Sequence, residues 1–143
     1  MEQEINNFIR NLRVLAMAKN AIEVLQNINN KDSTPFDQAY DLIQNAENSL
    51  INIIGSNLEK VAHNTIANIA APAQNLNGAI DIISNDNKIP HKTELMNMLQ
   101  SCATCFTTEN ITEIFAAIKK DQSLFSKQIL LLEEICESKY FQQ

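Results

Sequence analysis

Apolar residues recur along this chain at alternating intervals of three and four, the spacing that keeps one stripe of an α-helix buried. The longest run lies between Thr108 and Tyr140, where Ile111, Phe115, Ile118, Phe125, Ile129, Leu132 and Cys136 hold the period and only Gln122 interrupts it. The pattern predicts one helix of roughly nine turns, about 50 Å at 1.5 Å per residue. A rod of that kind cannot bury its stripe alone, so the rest of the chain is expected to lie alongside it.

Upstream, Ile5, Phe8, Ile9, Leu12, Leu15, Ala16, Ile22, Leu25 and Ile28 predict a first helix from about Glu2 to Asn29, with Arg10, Arg13, Lys19 and Glu23 mostly away from the stripe. Thr34 and Pro35 then signal a helix start, a hydroxyl to cap free amides and a residue whose missing N–H costs nothing in a first turn. The second helix is expected to end at Gly55-Ser56, although the period runs on through Leu58, Val61 and Ile69 and leaves a continuous helix as the alternative. A third helix from about Asn57 to Ser84 should kink or be interrupted near Ala70, ahead of Pro72. A fourth follows Pro90, and Thr107 or Thr108 caps the final rod. The expected fold is all-α: one domain over residues 1–143, an up-and-down bundle of four to five helices with a long C-terminal helix.

Composition narrows the function. Two glycines among 143 residues leave no material for phosphate-cradling loops or a nucleophile elbow. The net charge of −6 and the scattered Lys and Arg argue against a nucleic-acid partner. No apolar run is long enough for membrane insertion. Glu2 and Glu4 at the start do not fit a cleaved leader, so the chain is expected to be made in the cytoplasm, with any export independent of a signal peptide. Three cysteines in that setting are expected to be reduced thiols.

The candidate chemistry is sparse. Cys102 and Cys105 form a CxxC late in a predicted helix, without the helix N-terminus that activates redox thiols, and both fall on the apolar stripe. Glu59 with His63, and His91 with Glu94, have helical spacing but lack further ligands, so neither a metal nor another cofactor is expected. His63 lies off its stripe, followed on the outer face by the small residues Ala67, Ala70 and Ala71 and by Gln74. In this it resembles the histidine phosphotransfer domains, helical bundles with an exposed phosphoacceptor His. Their His-x-x-Lys-Gly pattern is replaced here by Ile66 and Ala67, which removes the basic residue. The resemblance implies His63 as phosphoacceptor in an alternative reading.

Near the C-terminus, Glu133, Glu134 and Glu137 form Glu-Glu-x-x-Glu. This resembles the glutamate-rich export signal of effectors delivered by the type IVB (Dot/Icm) secretion system of intracellular bacteria. The resemblance implies a secreted bacterial effector translocated into a host cell. The leading expectation is a non-enzymatic protein–protein interaction module with a host or bacterial protein partner, working through the Ala-, Asn- and Gln-rich face around His63 to Gln74 or through the long rod. A second alternative is a helical assembly subunit, a homo-oligomer joined through the seam of the long helix with Gln122 fixing its register.

Overall fold

In a computed structural model, residues 1–28, 34–59 and 66–138 are described, and the side chains of 56–59 and 66–68 are not. They form six helices: α1 (Glu2–Ile28), α2 (Thr34–Glu59), α3 (Ile66–Ser84), α4 (Lys92–Cys105), α5 (Thr108–Lys120) and α6 (Ser126–Glu137). No strand occurs among the described residues, and the all-α bundle expected from the spacing holds. α1 and α3 each pack against both α2 and α4, while α5 lies against α3 and α2 and α6 against α1 and α2.

The core is one continuous cluster drawn from all six helices. Phe8 of α1 is its hub at one end, with Phe106 and Phe115 meeting its ring edge-on at centroid distances of 5.1 and 5.6 Å. Rings packed at those angles contribute beyond the area they bury. α1 runs antiparallel to its two large neighbours: Gln26 pairs with Asp37 and Lys19 with Glu47 on α2, while Asn7 meets Cys105 and Asn11 meets Ser101 on α4.

Three expectations about helix ends change. The long C-terminal rod is two helices, which brings the helix count to six instead of four to five. α5 stops at Lys120, and Asp121 makes the break: its Oδ1 accepts from Ser123 Oγ at 3.0 Å and from the Leu124 amide at 3.3 Å. A short polar side chain that bonds a nearby amide offers an alternative to the helical ladder, and Asp121 does so here with Ser123 holding its carboxylate. Beyond the break Phe125 and Leu132 keep their expected buried places, but the stripe tilts: Gln128 is buried while Ile129 and Cys136 are only half-buried.

Gly55 does not end α2, which continues to Glu59, and a Cβ at Gly55 would meet open space. Nor does Pro72 interrupt α3, which is continuous from Ile66 with Pro72 inside it. At the start of α5 the cap is Thr107, whose hydroxyl accepts from the Asn110 amide at 3.2 Å. Gly78 has a packing role, since it lets α3 approach Leu42 of α2 so closely that a Cβ would lie 3.2 Å from that side chain.

Candidate functional site

A site for chemistry would need polar side chains that substrate can reach, and the polar groups of this core are closed off. Lys19 and Glu47 are 0% and 1% exposed and join α1 to α2 at 2.6 Å. Lys19 was expected away from the stripe, yet it follows Phe8 by eleven residues. That is three turns plus about 20°, the middle of the buried face. Glu47 follows buried Phe36 by the same interval. Burial outweighs the attraction of Lys19 and pushes the Glu47 carboxyl up to about 7, and among the described residues its second oxygen has no hydrogen-bond partner. The pair is a buried fastening between two helices, where a lone charge would be costly.

Between α1 and α4 runs a neutral polar seam. Asn11 donates to the Asn7 carbonyl at 2.9 Å and accepts from Ser101 Oγ at 2.7 Å. The thiols of Cys102 and Cys105 donate to the carbonyls of Asn11 and Asn7. Burial pushes these thiols up to about 12 and about 11, so both stay protonated and unreactive at neutral pH. The CxxC is core, as its place on the stripe implied.

The unusual surface belongs to α1. At 100° per residue, Arg10, Arg13, Met17, Ala21, Val24 and Ile28 lie within about 40° of one outward line. Met17, Val24 and Ile28 are 58, 56 and 68% exposed, although Ile28 was expected on the buried stripe. The line therefore has a basic half followed by an apolar half. No carboxylate shares it, since Glu2, Glu4 and Glu23 fall at other angles, although the whole chain is acidic. Beside it a groove of about 270 Å3 opens between Arg13, Ala16, Met17 and Asn20 of α1 and Ile135 and Ser138 at the end of α6. Exposed apolar side chains aligned along one helix, unlike scattered ones, mark a surface that gains by being covered.

Other predicted positions are less informative. His63 lies outside the described residues, as do the side chains of Glu59, Ile66 and Ala67. Of the face expected around it, Ala70 and Ala71 are half-buried and Gln74 is exposed. His91 sits at the exposed N-cap of α4 with φ 55°, and Glu94 is exposed one turn on. Among the described residues no group of three or more His, Cys, Asp or Glu could hold a metal ion, and no helix is long and apolar enough to cross a membrane. Glu133, Glu134 and Glu137 lie exposed on the outer side of α6. Along the seam from Ile111 to Cys136 that was to join copies, Ile111, Phe115, Ile118, Phe125 and Leu132 are buried inside the bundle, Ile129 and Cys136 are half-buried, and Gln122 is exposed in the turn. Comparison with family models, with curated proteins and with solved structures found no match to this chain.

Proposed function

We propose that this protein is a non-enzymatic interaction module that binds an amphipathic helix of a protein partner along the outer face of α1. One observation carries the reading: Met17, Val24 and Ile28 are exposed in line, over more than half their surface each, and share that line of α1 with two arginines and no carboxylate. A helix laid in such a place reads its partner through anchors one turn apart. The complementary partner is apolar at one end and acidic at the other.

The test uses a stapled helical peptide with Leu at one position and Glu four and seven residues later, titrated into isotope-labelled protein. Amide shifts should concentrate on α1 between Arg10 and Ile28 and vanish in Arg10→Glu/Arg13→Glu. Shifts confined to other helices, or none, would overturn the assignment.

The resemblance of Glu133, Glu134 and Glu137 to an export signal supports a second part of the proposal, that the module acts as an effector after type IVB delivery. Their exposure on α6 leaves them within reach of a secretion receptor. Replacing all three by Ala should abolish translocation of a reporter fusion from a host-competent bacterium, and undiminished delivery would remove that part.

A further inference from the structure

The binding face on α1 has a counterpart within the same sequence. On α6 the outward line passes through Leu130, which is 64% exposed, and then through Glu134 and Glu137, with Glu133 beside them. From Met17, Arg13 lies about 6 Å and Arg10 about 10.5 Å toward the N-terminus of α1. From Leu130, Glu134 and Glu137 lie the same distances toward the C-terminus of α6. Set antiparallel with Leu130 on Met17, the two helices put Glu134 beside Arg13 and Glu137 beside Arg10. Leu124, exposed in the turn before α6, extends the apolar end toward Val24.

One chain cannot make this pairing with itself. Within the bundle α1 and α6 run parallel: Gln128 near the start of α6 donates to Glu2 Oε1 at 3.4 Å, and the end of α6 meets Met17 across the groove. Among the described residues none of Arg10, Arg13, Glu133, Glu134 and Glu137 takes part in an ion pair. The charges on both faces are thus available to another molecule.

Building on the binding face assigned above, we infer that the outer face of α1 receives α6 of a second copy of this chain, antiparallel, with Leu130 on Met17 and the α6 glutamates on Arg10 and Arg13. Each copy presents both faces, so the contact is heterologous and can continue past a dimer. The contact spans little more than the 12 residues of α6, about 18 Å, a short seam beside the interfaces of stable complexes. Association is therefore weak and sensitive to salt.

Sedimentation velocity on the full chain, from tens of micromolar to about a millimolar, tests this. The average mass should rise with concentration in low salt and return toward the monomer in high salt. Arg10→Glu/Arg13→Glu and Glu134→Arg/Glu137→Arg should each stay monomeric with unchanged helical circular dichroism. An equimolar mixture of the two should associate again, because the altered α1 of the first variant matches the altered α6 of the second, and the native α1 of the second still matches the native α6 of the first. A wild-type chain that is monomeric throughout, or a mixture that associates no more than its parts, would overturn the inference. If the wild type is monomeric yet still binds the stapled peptide, only this inference fails; loss of peptide binding removes the reading beneath it.

Discussion

The two sides of α1 invert the usual arrangement. Its inner side carries a lysine with no exposure, and its outer side carries Met17, Val24 and Ile28 in water. The inner anomaly is answered within the chain, since Glu47 reaches Lys19 from α2. Nothing among the described residues covers the outer one. A charged group inside a core is tolerable only with its partner, so its explanation is found in the fold. An aligned apolar face outside has no such internal explanation, so that face, and not the pair, points to a partner.

The sharpest break in that comparison comes from the inner side. Glu47→Leu keeps the volume but leaves Lys19 charged and alone, and should cost about 3–5 kcal/mol. For a domain of this size the unfolding midpoint should then drop by roughly 10–20 °C. Lys19→Met/Glu47→Leu should recover all of that loss and end between neutral and about 4 kcal/mol above wild type. Thermal unfolding of both chains checks this, and a double variant as unstable as the single one would mean that Lys19 and Glu47 answer to other groups.

A smaller effect follows from proton binding. The folded Glu47 carboxyl, at about 7, lies above its ordinary value of 4.5, so the folded state holds the proton more firmly than the unfolded one. The resulting stabilisation is complete below the unfolded value and is lost as pH rises through 7. Between about pH 5 and 7 the wild-type chain should therefore become less stable as pH rises. Glu47→Gln keeps an acceptor oxygen for Lys19 without titrating, and its denaturation profile should be flatter over that window. Equal slopes in the two chains would assign the pH dependence elsewhere.

Much of this was readable in the sequence, though not all of it. Spacings of three and four set the all-α class, and the Thr107 cap follows from hydroxyl chemistry. The break at Asp121 escaped because Phe125 follows Ile118 by seven residues, so the apolar period alone continues smoothly across it. The signal was Asp121, whose carboxylate competes with the helix for an amide, backed by Ser123, whose hydroxyl donates to it. Lys19 was mislaid by residue type, while its phase relative to Phe8 placed it inside. Ile28 was misassigned the opposite way: apolar by type, it lies twenty residues from Phe8, about 160° around the helix. The match inferred between α1 and α6 lies beyond the sequence, because only the packing of the helices shows which sides face outward and that the two run parallel within one chain.

The outer side of α1 should matter least to folding and most to binding, and one variant measures both. Met17→Glu/Val24→Glu/Ile28→Glu changes only exposed positions, so its unfolding midpoint should stay within about 3 °C of wild type, as surface substitutions do, while binding of the Leu/Glu stapled peptide is lost. A midpoint that collapses, or a peptide that still binds α1 with wild-type affinity, would contradict the claim that this face is left open by the fold in order to be covered by a partner.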